Sequence, residues 1–336
     1  MKGLRSWQLW AVLGIAAACA SVPLYVRNDY LLQVLFRIAL FSALGLAWNL
    51  VGGYAGQLSL GHVAFFGVGA YGLAIFTDLG VPRWISMLLA AGAATLLAAI
   101  IGRIVFRLRG PYFTLATIAA GEVLRLMATN LKITGGAIGL TTPALFTGQL
   151  FWKWFYLAAI GLALFTLIIN YSVSRSRFGY YLMAIREDEE TARAVGIDSS
   201  RCKLQSLLLS AFLTALAGAL YGSAFQFIIP DSVLALDTSV QIAIVTMLGG
   251  AGTLLGPVIG AVVLLSASEL FKNQFKESHL LIYGILIVVV VLFMPEGIVG
   301  ALQHLFRRRT KPPDVAAGIA PGRRDLSGSG TPRGSQ

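Results

Sequence analysis

The chain has 336 residues, of which 57% are hydrophobic and only 12% are charged, and its mean hydropathy is +0.77. Soluble domains carry about 25% charged residues, so this composition excludes an ordinary soluble protein and indicates a polytopic membrane protein in a lipid bilayer. The formal net charge of +11 does not indicate a nucleic-acid partner, because the basic residues lie in loops and tails beside apolar stretches.

Ten apolar stretches predict membrane-spanning helices, since a bilayer core of about 30 Å requires about 20 apolar residues per helix. We therefore expect an all-α transmembrane domain over residues 1–306 and a basic, disordered tail over 307–336. The eighth stretch is too short to cross alone, so 239–272 is either two spans or a broken, re-entrant element. The ten stretches are 8–26, 30–51, 58–79, 84–106, 111–130, 152–174, 204–228, 239–250, 254–272 and 279–299.

The distribution of positive charge predicts the orientation of these spans. With the N-terminus inside, 18 of the 26 basic residues fall on the inner side and six on the outer side. The other two, Arg37 and Arg125, lie within spans. Cytoplasmic loops carry the excess of Lys and Arg, so both termini are expected in the cytoplasm.

A glycine-rich, uncharged connection follows the second span. Glycines at three- to five-residue spacing allow close helix approach, and packing is the reading that we favour for most of them. Gln57, Ser59 and His62 are polar, so they need partners or water. They are candidates for the wall of a polar pathway through the membrane or for its cytoplasmic gate, although a lone histidine is more often a hydrogen-bonded strut than a proton carrier.

The fifth span carries Glu122 and Arg125, which lie three residues apart on one helix face. An ion pair inside a membrane is expensive and usually faces the protein interior or a wet cavity. These two residues are therefore either a polar feature of the pathway or, as we favour, a buried clasp between two helices. The following segment, 131–149, is expected to form an ordered, turn-rich outer cap.

The segment 171–203 is charged and lies between two apolar stretches, so it must leave the bilayer on the cytoplasmic side. It predicts a short helix in which Asp188 caps the free amides and Glu189 pairs with Arg193. Gly196 is expected to end that helix in a left-handed conformation, with Asp198 or Ser199 capping the next one. Ala192, Val195 and Ile197 would then form a small apolar face, which either docks into a groove of another protein or lies along the membrane surface.

Glycines also interrupt the eighth and ninth spans. Paired glycine-broken segments in the two halves of a chain are common in transporter pathways. The sequence therefore adds Gly249, Gly250 and Gly252 to the pathway and gate candidates.

Several of these runs resemble one family. Glu190, Thr191, Ala192 and Gly196 match the E-A-A-x-x-x-G pattern of ABC importer permeases, with Thr191 in place of the first alanine. The wider run over 184–197 and 203–222 is similar to high-affinity branched-chain amino-acid permeases of the M-subunit type. The runs over 53–72, 110–140 and 248–261 resemble the same family, so the resemblance covers roughly residues 35–300.

This resemblance implies the type II ABC importer permease fold and a bacterial inner-membrane location. It implies a second homologous permease subunit, two ATP-binding subunits and an external or periplasmic solute-binding protein as partners. In that family the central loop couples the permease to the ATPase. The resemblance thus makes coupling candidates of Glu187, Asp188, Glu190, Ala192, Arg193 and Gly196.

Three functional classes are compatible with a polytopic membrane protein. The chain contains no G-x-x-x-x-G-K-[ST] phosphate loop, so an importer subunit of this kind takes its energy from separate ATPase subunits and needs no cofactor of its own. A stand-alone ion-coupled carrier or channel is the alternative, although few ionisable residues lie mid-span. An integral-membrane enzyme is disfavoured because no residue cluster shows metal or nucleophile spacing. We therefore expect a permease for branched-chain amino acids or for a related small solute such as urea.

Overall fold

The computed structural model describes residues 28–108, 110–148, 150–275, 284 and 297–300. The predicted first span and tail, and nearly all of the tenth span, lie outside these residues. The α-helices between residues 28 and 275 are α1 (Asp29–Trp48), α2 (His62–Asp78), α3 (Arg83–Val105), α4 (Pro111–Asn130), α5 (Phe151–Arg175), α6 (Arg177–Glu187), α7 (Glu189–Ala194), α8 (Ser199–Phe225), α9 (Pro230–Val233), α10 (Leu236–Gly249) and α11 (Gly256–Phe275).

Eight of the ten predicted spans fall within the described residues, and each overlaps one of these helices. Among the described residues, five candidate spans are long and apolar enough to cross a bilayer: Asp29–Tyr54, Arg83–Val105, Phe151–Arg175, Ser199–Phe225 and Pro230–Gly249. The helix α2 is apolar but shorter. The mostly helical character with apolar candidate spans is therefore confirmed, whereas the number of ten crossings stays a prediction.

The second span does not end where the sequence predicts. Instead, α1 continues into a π-helical turn over Asn49–Tyr54, which we call the π segment. The indole of Trp48 folds back beneath it and donates a hydrogen bond of 2.7 Å to the carbonyl of Ser59. Single π turns inside helices are rare and are frequent at functional sites.

Close helix crossings organise the core around α2 and α8. A Cβ atom at Gly69 would lie 2.0 Å from the carbonyl oxygen of Ala215, and one at Gly218 would lie 2.0 Å from that of Phe66. The two backbones therefore touch at this crossing, as the packing interpretation of the glycine-rich run predicts. Similar contact closes the α10–α11 hairpin, where Gly249 faces the carbonyl of Gly256.

The helical bundle has two ends that differ in structure. At the end that we call the strand end, Leu140–Thr141 (β1) pairs in antiparallel fashion with Phe227–Ile228 (β2), and Ser223 donates a hydrogen bond to the carbonyl of Pro143. Residues 131–148 of the predicted cap are thus an ordered set of turns, as predicted. The π segment, α6 and α7 lie at the other end, which we call the α7 end.

The segment 171–203 is more helical than the sequence suggests. The helix α5 extends to Arg175, and Ser176 starts α6 by accepting a hydrogen bond from the amide of Gly179 at 3.2 Å. Only Ser176, Asp188 and residues 195–198 interrupt the helices of this segment.

Candidate functional site

The short helix α7 forms as its local sequence predicts. Asp188 caps it by accepting a hydrogen bond of 2.6 Å from the amide of Thr191. The Thr191 amide and hydroxyl hold the pKa of this carboxyl below its usual value. Glu189 and Arg193 form the predicted ion pair at 2.6 Å, and Asp198 caps the following helix through the amide of Arg201.

Gly196 ends α7 in the left-handed conformation, with φ of +90°. Its amide donates to the carbonyl of Arg193, and the amide of Ile197 donates to the carbonyl of Ala192. This pair of hydrogen bonds is a Schellman motif, which satisfies carbonyls at a helix C-terminus and requires positive φ at the glycine position. Gly196 therefore sets the direction in which the chain leaves α7.

Only part of the predicted apolar face of α7 is exposed. Ala192 is 3% exposed and packs against its own chain, in a cluster with Leu182 and Ile185. Val195, by contrast, is 74% exposed. The sequence could not show which side of so short a helix faces the bundle, and Val195 is the apolar residue left for a partner. Glu187, Asp188, Glu190, Arg193 and Gly196, the other coupling candidates, are exposed.

A buried ion pair holds α7 against the membrane bundle. The ammonium of Lys203, whose side chain is 5% exposed, lies 2.6 Å from the carboxylate of Glu189, whose side chain is 22% exposed. Sequence reasoning missed this contact because the two residues lie in different helices. Glu189 accordingly contacts both Lys203 and Arg193, so α7 is fixed to the second turn of α8.

We expect Glu189→Gln to loosen α7, because it leaves the buried ammonium of Lys203 without its carboxylate. Amide hydrogen exchange over 188–198 should become at least about tenfold faster, a loss of roughly 1.4 kcal/mol in local stability. The double variant Glu189→Gln/Lys203→Met should restore protection, since no buried charge is left unpaired and Arg193, which also loses its partner, is 41% exposed. Glu190→Gln, which removes the same charge at an exposed position, is the control. Equal exchange rates in the Glu189 and Glu190 variants would show that the Glu189–Lys203 ion pair does not hold α7 in place.

Ser59 and His62 form a buried network at the start of α2. The hydroxyl of Ser210 donates to the carbonyl of Ala47 at 2.7 Å, so its oxygen accepts from Nε2–H of His62 at 2.8 Å. Nδ1 of the ring then accepts from the hydroxyl of Ser59, 3.2 Å away. A neutral imidazole satisfies all of these groups, which makes His62 a strut between α2, α8 and the end of α1. Gln57 is only partly buried and lies closer to solvent.

Two further glycines at the α7 end have positive φ. Gly250 has φ of +121° and Gly252 of +81°, so the turn between α10 and α11 depends on them. The amide of Gly252 donates to Oδ1 of Asn49 at 2.8 Å, and Nδ2 of Asn49 donates to the carbonyl of Thr253 at 3.0 Å. Asn49 thereby joins the π segment to this turn. Sequence reasoning did not single out Asn49, because a lone asparagine within an apolar stretch carries no motif.

Glu122 and Arg125 lie far from this region. Arg125 pairs with Glu122 and also with Asp231 of α9, each at 2.6 Å. The partner helix of the clasp is therefore α9. The expectation of a buried pair is wrong for the isolated chain: the side chains are 45% exposed for Glu122, 29% for Arg125 and 73% for Asp231.

The two groups of candidates are separated along the bundle. On α8, Ser206 contacts the π segment through the carbonyl of Leu50, whereas Ser223 contacts the cap at the strand end. These two serines are about 25 Å apart along the helix axis, from a rise of about 1.5 Å per residue. The structure thus brings Gln57, Ser59, His62 and the turn glycines to one end. Within the described residues, no group of three or more His, Cys, Asp or Glu side chains is placed to hold a metal ion.

Comparison with known families decides the class of this chain. The family model described as the permease component of branched-chain amino acid transport systems matches residues 30–291. That range contains nearly all of the described helices and every candidate residue discussed above.

The chain belongs to this permease family. Over 288 residues it is 31% identical to the high-affinity branched-chain amino acid transport system permease protein LivM of Salmonella typhimurium, covering 77% of this chain and 67% of the relative. It is also 25% identical to the LivH permease protein of the same organism, over 81% of this chain and 96% of the relative. The family resemblance read from the residues is therefore confirmed.

Among solved structures, PsaBC from Streptococcus pneumoniae in complex with Fab is similar with a TM-score of 0.45 and 16% identity. The similarity covers 85% of this chain and 99% of that chain.

The sequence matches give a stand-alone carrier or channel no support. This chain is thus a membrane permease, and its homologues are permease subunits of transport systems.

Proposed function

We propose that this chain is one permease subunit of an ABC importer for branched-chain amino acids. It would form a heterodimer with a second, LivH-like permease and bind two ATPase subunits and an external solute-binding protein. The structure of α7 is the observation that carries this proposal. This short helix is capped by Asp188 at its start and by Gly196 at its end, and an ion pair fixes it to α8. Its Val195 side chain is exposed. Such a rigid projection is suited to receive force from another protein.

The pair of permeases is supported by the similarity of one chain to both LivM and LivH proteins. Substrate follows from the same names, since both relatives are called branched-chain amino acid permeases. The absence of a phosphate loop from the sequence supports separate ATPase subunits. A related solute such as urea is the second candidate substrate.

Proteoliposomes containing the complete complex test this proposal. We expect saturable uptake of leucine, isoleucine or valine that requires ATP on the ATPase side and the solute-binding protein on the other side. Urea at the same concentration should neither enter nor compete. Uptake of urea alone would keep the importer and change its substrate, whereas uptake driven by an ion gradient without ATP would overturn the function.

The proposed topology has ten crossings with both termini and α7 in the cytoplasm. Charge supports it, since 18 basic residues lie on the proposed inner side and six on the outer side. A single cysteine introduced at Arg308 should be labelled by a membrane-impermeant maleimide only after the cells are opened, and one at Leu79 should be labelled in intact cells. Labelling of the Arg308→Cys variant in intact cells would contradict the topology.

A further inference from the structure

The side chain of Arg186 crosses three glycines at the α7 end of the bundle. Its Nη1 donates a hydrogen bond of 2.7 Å to the carbonyl of Gly53, in the π segment. A Cβ atom on Gly252 would lie 2.3 Å from that same nitrogen, so the guanidinium occupies the space that a side chain at this position would enter. A Cβ atom on Gly56 would lie 2.8 Å from Cγ of Arg186.

Each of these glycines belongs to a different part of the contact. Gly53 presents its carbonyl within the π segment, Gly56 lies just beyond it under the aliphatic stem, and Gly252 lies in the turn between α10 and α11. Gly56 and Gly252 also have positive φ, of +67° and +81°. Their conformations shape a cradle for one long side chain.

The two elements that form the cradle are already joined to each other. Asn49 bridges the π segment and the α10–α11 turn through hydrogen bonds in both directions. A displacement of Arg186 therefore acts on the inner ends of α1, α10 and α11 together. Arg186 is itself in the last turn of α6, two residues before Asp188, the cap of α7.

We infer that Arg186 is the positioning residue that transmits movement of α7 to the glycine-broken ends of α1 and α10. This inference rests on the proposed function and adds the residue through which coupling reaches the pathway. Arginine suits this role because its planar guanidinium presents several donors on a long stem, and the π segment offers a carbonyl as the acceptor.

The contact makes a specific prediction about coupling. Arg186→Met keeps the stem over Gly56 and removes the donor to Gly53. In proteoliposomes we expect the complex to assemble and to hydrolyse ATP within about twofold of the wild-type rate, while leucine transported per ATP falls at least about tenfold. Arg186→Lys, which retains a positive charge and an ammonium donor, should recover part of that ratio.

Arg201→Met is the matched control. Arg201 is a basic residue of the same cytoplasmic segment, its side chain is 83% exposed, and its guanidinium lies 3.7 Å from the carboxylate of Asp198. Its removal changes the charge equally and should leave the transport-to-ATP ratio unchanged.

The outcomes separate this inference from the proposed function. If wild-type uptake proceeds without ATP, the proposed function fails whatever Arg186 does. If wild-type uptake requires ATP and Arg186→Met keeps the normal ratio, or loses hydrolysis and uptake in proportion, only the transmission role of Arg186 is overturned.

Discussion

Gly218→Ala should prevent stable packing of α2 against α8. The added methyl carbon would lie 2.0 Å from the carbonyl oxygen of Phe66 and 2.8 Å from the carbonyl carbon, and neither backbone atom is free to rotate away. The helices must therefore separate, and overpacking of a close-packed interior typically costs about 1–3 kcal/mol, occasionally more. A Cβ atom on Gly69 would clash with the carbonyl of Ala215 in the same way, so neither helix leaves room for a side chain at the crossing.

Thermal unfolding of the purified permease in detergent measures this effect. We expect the midpoint of the Gly218→Ala variant to fall by on the order of 5 °C or more, with less monodisperse protein recovered. Gly161→Ala is the matched control, because Gly161 is also helical and a Cβ atom there meets nothing within 4 Å. Equal midpoints for both variants would show that the α2–α8 crossing tolerates separation.

Gly196→Val should abolish coupled uptake while leaving the membrane domain intact. A Cβ atom at Gly196 meets nothing within 4 Å, so the cost of this substitution is confined to the backbone, which has φ of +90°. A β-branched residue in the left-handed region is strained by at least about 1–2 kcal/mol. Relief of that strain breaks the Schellman motif and changes the direction in which the chain leaves α7.

Uptake of leucine and ATP hydrolysis measured on the same proteoliposomes reveal the consequence. We expect uptake by the Gly196→Val complex to fall at least about tenfold, while hydrolysis continues or the ATPase subunits detach. The control is Gly80→Val, since Gly80 has φ of +86° and equally open surroundings, yet lies in the turn between α2 and α3. Full uptake by the Gly196→Val complex at normal expression would show that α7 does not couple.

Local features of this chain could be predicted from the sequence because their causes are local. The Asp188 cap, the Glu189–Arg193 pair and the positive φ of Gly196 all depend on residues within a few positions of one another. Apolar length likewise predicts a helix in each of the eight spans that fall within the described residues.

Contacts between distant parts of the chain could not be predicted in the same way. Arg125 and Asp231 are 106 positions apart, and Arg186 and Gly53 are 133 apart. Their meeting depends on how the helices cross, which periodicity does not specify. The π segment was missed for a related reason: its extra residue per turn is stabilised by Trp48 and Asn49, whose partners lie in other elements.

The most direct test of the coupling role of α7 is a cross-link between this helix and an ATPase subunit. A cysteine at Val195, which is 74% exposed, should form a cross-linked product with an ATPase subunit of the assembled complex when a short bifunctional maleimide is added. A cysteine at Leu79, which is 73% exposed at the proposed outer side, should form none. A Val195→Cys permease that never cross-links to an ATPase subunit, or that reacts from outside intact cells, would contradict the account.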